Sequence, residues 1–365
     1  MQAQNTYAVS LTQAEEFIIR TGSKRTTLME GHMGTGKSST IHGLAARLPD
    51  HVPCYFDCTT KVSGDITIPN IAHMDDGTGY VTYLTNEELG AHIDKPIILM
   101  VDEFGKAERD IKNSLLRLML ERKIGSYTLH PDSIVFATTN LGAENVGDML
   151  PAHARNRITM LRLKKPTNME WLTDFAIPNS LDPVLCGWAK DNPQLFHGFE
   201  DVHNPDDNPY IFHPQAPSSM QFVTPRSLHA ASDILLQREH LDDHLLTSSL
   251  IGTIGARGAM DLMAYVKIGD QLPSLQSIKD DPLTATIPMS AAAVCMVVYK
   301  AAQTMGRDWV DAWMQYMVRL DSEAQGLFVM TARNDKYPHR SIVMTNSRFT
   351  TWAIDNGYMF AADKK

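Results

Sequence analysis

The sequence predicts an α/β protein: a doubly wound parallel sheet in the N-terminal part, followed by a helical region. Three observations predict it. A glycine-rich loop, Gly31-His32-Met33-Gly34-Thr35-Gly36-Lys37-Ser38, stands between a strand-like run and a helix-like run. Two runs, Pro96 to Val101 and Ser133 to Thr138, are almost unbroken in apolar character, as strands covered on both faces are. Strand-like and helix-like stretches alternate up to Pro166, and helical patterns dominate beyond it.

Taken in order, Thr12 to Thr21 reads as an amphipathic helix and Thr26 to Met29 as the first strand. Ser39 to Leu48 is the helix after the loop, with Leu44, Ala45 and Leu48 on one face and Ile41 above them. Cys54 to Asp57 is a second strand, with Cys54, Phe56 and Cys58 alternating onto the same side. Two β-like runs, Asp65 to Ile68 and Tyr80 to Tyr83, flank Asp76-Gly77, the expected tip of a hairpin. A helix from Arg109 to Glu121 turns Ile111, Leu115, Leu118 and Met119 inward. Gly125 to Pro131 reads as a turn or hairpin, and Ile158 to Leu163 as the fifth strand. Pro166 closes this part. Helices are expected at 168–175, 181–191, 226–237 and 246–266, with a long loop rich in Pro, Asp, Asn and His over 196–219. Trp171, Trp188, Trp309, Trp313 and Trp352 fall in helical patterns and are expected in the core.

A chain of 365 residues, 43% hydrophobic and 21% charged, has room for two or three domains with a sizeable core. Its net charge of −9 advertises no basic nucleic-acid face. Four cysteines make no disulfide framework; Cys54 and Cys58 read as core thiols, and as a metal pair they would need two more ligands, whereas Cys186 and Cys295 lie isolated in other segments. No run approaches the 18 apolar residues of a membrane span, and the first residues lack a signal-peptide pattern, so the cytoplasm is the expected compartment.

The glycine-rich loop names a ligand. Glycine adopts positive φ at little cost, so the backbone can curl around an anion with its N–H groups turned inward. Gly31, His32, Met33, Gly34, Thr35, Gly36, Lys37, Ser38 and Ser39 would form the cradle, His32 and Met33 through backbone alone. Lys37 adds positive charge at the β and γ oxygens, and Ser38 can hold Mg²⁺. Asp102-Glu103 ends a buried strand: Asp102 is placed to help hold Mg²⁺, and Glu103 to polarise a water as general base. Thr138-Thr139-Asn140 ends the next strand, where the Asn140 amide can orient that water or sense the γ-phosphate. His240 and His244 stand four apart on an expected helix, but Leu241 occupies the place of a catalytic glutamate and no third ligand is evident.

With these residues in this order, the chain resembles the AAA+ ATPases, and within them the MoxR-like and dynein-related branch found in bacteria and phages. The phosphate loop, the Asp102-Glu103 strand and the strand ending in Asn140 look like the Walker A, Walker B and sensor-1 elements. The resemblance implies an arginine finger before the fifth strand, matched best by Arg157 with Arg155 as runner-up. It implies a sensor-2 arginine at Arg226, in Thr224-Pro225-Arg226. Asp75, Asp76 and Gly77 would project toward a central pore. The implied domains are an AAA+ core over 1–165 with a hairpin insert near 64–83, a helical lid over 166–245 and a helical extension over 246–365. The implied cofactors are ATP and Mg²⁺. The implied partners are further copies in a ring, a hexamer in this family, and a remodelled protein or a von Willebrand A-domain protein. The loop also resembles that of the cobalt chelatase ATPase subunit. A nucleic-acid-associated ATPase of replication and a non-hydrolytic, ATP-assembled scaffold are the alternatives.

Overall fold

The computed structural model describes residues 7–75, 77–141, 150, 152–215 and 221–358. The chain divides into two compact units, Met1–Lys165 and Pro166–Lys365.

The first unit is built on a parallel five-stranded sheet. Its strands are β1 (Thr27–Glu30), β2 (Val52–Asp57), β5 (Ile97–Asp102), β8 (Ile134–Thr139) and β9 (Thr159–Arg162), in the spatial order β2-β5-β8-β1-β9. The first strand therefore lies inside the sheet, between β8 and β9, and the loop leaving it emerges between the ends of these neighbours. Helices α1 (Leu11–Thr21) and α2 (Thr40–Arg47) cover one face, and α3 (Arg109–Glu121) the other. Strand alternation explains the two cores. Met29, Ile98, Met100 and Phe136 meet Ile18, Ile41 and Leu44 on the first face, while Phe56, Leu99, Val101 and Ala137 meet Ile111, Leu115 and Leu118 on the second. Every residue of β5 and β8 is buried, as their unbroken apolar runs require. This is the parallel α/β core, flanked by helices and followed by a helical region, that the sequence predicts.

Two hairpins decorate this unit. Strands β3 (Thr67–His73) and β4 (Gly79–Thr85) form an antiparallel ribbon whose faces stay largely exposed. Gly77 takes φ 83° in its turn, and Asp76 lies outside the described residues. The ribbon is longer than the two β-like runs suggested. A second, shorter hairpin pairs β6 (Lys123–Ile124) with β7 (Tyr127–Thr128). A short helix, α4 (Ala152–Arg155), precedes β9.

Among the described residues, the regular elements of the second unit are helices: α5 (Asn168–Trp171), α6 (Pro183–Asp191), α7 (Pro225–Leu235), α8 (Asp243–Gly269), α9 (Leu275–Asp280), α10 (Ala291–Gln303), α11 (Val310–Met317), α12 (Ser322–Arg333), α13 (Arg340–Met344) and α14 (Ser347–Asp355). One core runs through it, so Trp171, Leu185, Leu228 and Leu235 belong to the same cluster as Leu250, Tyr299, Trp313 and Phe328. Trp188 and Trp309 are buried there as well, and Trp352 packs against the cluster half-buried. The long α8 is broken at Gly255 (φ 80°, ψ 161°), where a Cβ would come within 2.6 Å of the Gln221 carbonyl oxygen. Glycine is required there both by the backbone angle and by the space. His240 and His244 do not share a helix: His240 ends a 3-10 turn (Arg238–His240), and His244 sits in α8. Asp242 caps α8 and starts the helix only after the first histidine, which removes the expected spacing. Among the described residues, no helix is long and apolar enough to cross a membrane.

Candidate functional site

The site is assembled where β1, β5 and β8 end. The Gly31 N–H donates to the Thr139 carbonyl at 3.2 Å, which ties the start of the loop to the end of β8. Gly34 and Gly36 take φ 73° and 90°, the region where L side chains are strained, so two of the three loop glycines are needed for its curl. The chain then enters a 3-10 turn (Lys37–Ser39) before α2, so the loop still delivers its amides to a helical N-terminus.

Lys37 is buried, and its Nζ donates to the Gly31 carbonyl (2.8 Å), the His32 carbonyl (2.6 Å) and Asn140 Oδ1 (2.8 Å). The ammonium is thus held over the loop by oxygen atoms, the chemistry that phosphate oxygens also offer. The Ser38 hydroxyl donates to Asp102 Oδ2 at 2.9 Å, bridging the loop to the end of β5.

Asp102 is buried and Glu103 is partly exposed. Asp102 Oδ1 accepts from the Thr138 hydroxyl and from the Glu103 N–H (3.1 Å), and Oδ2 also accepts from the Tyr55 hydroxyl (2.9 Å). Glu103 stands at φ 52°, ψ 35°, a left-handed conformation that costs a non-glycine residue on the order of 1 kcal/mol or more. Its backbone turn directs the side chain to Asn140, whose Nδ2 donates to both carboxylate oxygens (3.1 and 3.2 Å). Lys106 pairs with the same carboxylate at 3.2 Å. One amide therefore bridges the loop lysine and the acid at the strand end.

Lys37, Ser38, Asp102, Glu103 and Asn140 are joined in one hydrogen-bonded network. Arg157 lies apart from it, exposed on the turn between α4 and β9, and Arg155 Nε donates to the Leu150 carbonyl at 2.7 Å. Arg226 lies in the second unit, exposed on the first turn of α7 behind Pro225, with Thr224 and Ser227 forming a capping box. Sequence reasoning missed Tyr55 and Lys106. Strand alternation carried a signal for the first: Cys54, Phe56 and Cys58 enter the core of one face, which turns Tyr55 to the other, beside Met100 in register. Burial, then the Asp102 carboxylate, pushes the Tyr55 phenol above its ordinary pKa. Burial first, then the neighbouring carboxylates Asp57 and Asp102, pushes the Cys58 thiol up to about 12.

The donor set fits a magnesium nucleotide. A serine hydroxyl and a carboxylate are hard oxygen donors suited to Mg²⁺, which commonly takes one or two carboxylates and completes its shell with water and phosphate. The curled amides and the buried ammonium suit the phosphates.

No family model matches this chain, and no curated protein matches it in sequence. Solved structures do. An inferred ATPase of Cytophaga hutchinsonii matches at 17% identity and a TM-score of 0.34, over 48% of this chain; the chain spans 52% of that structure. The RuvB Holliday junction branch migration motor of Thermotoga maritima matches at 14% identity and a TM-score of 0.36, over 74% of this chain and 72% of that one. A variant of the same RuvB matches at 16% identity and a TM-score of 0.38, over 85% of each chain.

Proposed function

We propose that this chain is a Mg²⁺-dependent ATPase of the AAA+ class, of MoxR type, working as a ring of identical copies. The supporting observation is the network that joins Lys37 and Ser38 of the loop to Asp102, Asn140 and Glu103 at the strand ends. Bound MgATP would supply the transferable γ-phosphoryl group and a cation that neutralises charge developing on it.

The residues then divide the work. Lys37 exchanges its carbonyl partners for β and γ oxygens, and the loop amides hold the phosphates. Ser38 and Asp102 hold the cation. Glu103 accepts a proton from the attacking water, and the Asn140 amide, already on both Glu103 oxygens, orients the pair. Arg226 reads the nucleotide from the helical region, and Arg157 of one copy completes the site of the next. An active site shared between copies needs a head-to-tail interface, and one whose rotation closes makes a ring, six-membered in the family resembled. The output is remodelling of a partner protein, with a von Willebrand A-domain protein as the companion implied by the resemblance.

Glu103→Gln tests this directly. It keeps the size and the contact with Asn140 but removes the base. Hydrolysis should fall by about 10²–10⁴-fold while ATP still binds. Wild-type turnover in this variant would sink the assignment.

A further inference from the structure

Asp102 accepts hydrogen bonds from four donors, two on each oxygen, so a cation at Oδ2 would take the lone pair that the Ser38 hydroxyl occupies here. Three of the donors belong to segments the phosphate site already uses: Ser38 in the loop, Thr138 at the end of β8, and the Glu103 N–H. Tyr55 is the fourth, and it reaches in from β2, the strand beyond β5. The residue is 44% exposed, so apolar burial does not account for an aromatic side chain here. What the ring does is carry a hydroxyl across to Asp102 Oδ2, the same oxygen that Ser38 binds. A phenol is protonated at neutral pH, and a carboxylate oxygen can only accept, so the hydroxyl is the donor.

We infer that Tyr55 is a positioning residue: its hydroxyl fixes the Asp102 carboxylate in the orientation from which it holds the divalent cation of a bound metal–nucleotide. The inference rests on the phosphate-site reading above. The torsion that swings an aspartate carboxylate is broad, so partners rather than rotamer preference must set it. Without the tyrosine, Oδ2 is held by Ser38 alone, and the Ser38 hydroxyl must itself turn a lone pair to the cation. Loss of a partner behind a metal-holding group typically costs 10–100-fold in metal affinity.

The test is Tyr55→Phe, which keeps the ring and deletes the hydroxyl. The probe is Mn²⁺ with ADP, followed by electron paramagnetic resonance, beside ADP binding in EDTA and a thermal melt. The apparent Mn²⁺ dissociation constant should rise about tenfold, with metal-free ADP affinity and melting temperature as in the wild type. Equal Mn²⁺ affinity in both proteins overturns the inference. So does an equal loss of ADP affinity in EDTA, because that marks a damaged pocket rather than a misdirected carboxylate. Asp102→Asn separates the two layers. If it holds Mn²⁺–ADP as tightly as the wild type, the phosphate site is wrong and Tyr55 falls with it. If Asp102→Asn loses the metal and Tyr55→Phe does not, only the role of Tyr55 is wrong.

Discussion

The two units bury polar side chains for different reasons. In the α/β unit, Lys37, Asp102, Thr138 and Asn140 are buried together, at the ends of strands that meet from different parts of the chain. In the helical unit, Asp182 and Thr224 are buried at helix starts, where each accepts from the first free amides: Asp182 from Val184 and Leu185 of α6, Thr224 from Ser227 of α7. The first set is a convergence that no local rule of chain geometry demands. The second answers a local need, since the first amides of a helix lack intrahelical partners. Asp182 also meets Arg238 and Ser232, but that pair sits at a helix start, so polar burial points to function only where the convergence answers no local need of the chain.

Substitutions can break or sharpen this contrast. The largest effect is expected for Asn140→Ala, which disconnects Lys37 from Glu103. Turnover should drop by about 10²–10³-fold, the scale for losing a pre-aligned donor at a reacting centre, with little change in melting temperature. A melting temperature that falls while turnover holds would put Asn140 with the structural set. Next comes Arg238→Ala, which removes the partner of buried Asp182 at 2.5 Å. Removing one partner of a fully buried pair costs about 3–5 kcal/mol; because Arg238 is partly exposed, about 2 kcal/mol in a denaturant titration is the expected loss. The smallest is Thr224→Ala, which deletes one half of a capping box, at about 1 kcal/mol. This last substitution adjoins Arg226, so measuring turnover beside stability also separates helix capping from any nucleotide contact made by that arginine.

Legibility in the sequence followed the range of the interactions. Strands β5 and β8 were readable because burial on both faces leaves an unbroken apolar run, and α3 because one buried face leaves a period of 3.6. The loop was readable because positive φ at Gly34 and Gly36 demands glycine at fixed spacing. The ribbon β3–β4 was underestimated, since its largely exposed residues, Pro69 and Asn70 among them, carry no burial pattern. The break in α8 was hidden because Gly252, Gly255 and Gly258 look alike in sequence; only the Gln221 carbonyl, pressed against Gly255, distinguishes them. Tyr55 was hidden for a similar reason. Its relation to Asp102 depends on the pairing of β2 with β5, and register is a property of two strands rather than of either one.

Asn140 has an end that faces a cation and an end that faces an anion. Its side chain is a dipole lying along the field between Lys37 and Glu103, and turning the amide over would set NH₂ against NH₃⁺ and a carbonyl against a carboxylate. Neither aspartate, which is nearly the same shape, nor a reversed amide satisfies both ends at once. The site is thus polarised along a single direction, with positive charge at the loop and negative charge at the strand end. A phosphate drawing on Lys37 and a water approaching Glu103 would act on opposite poles of the same small group.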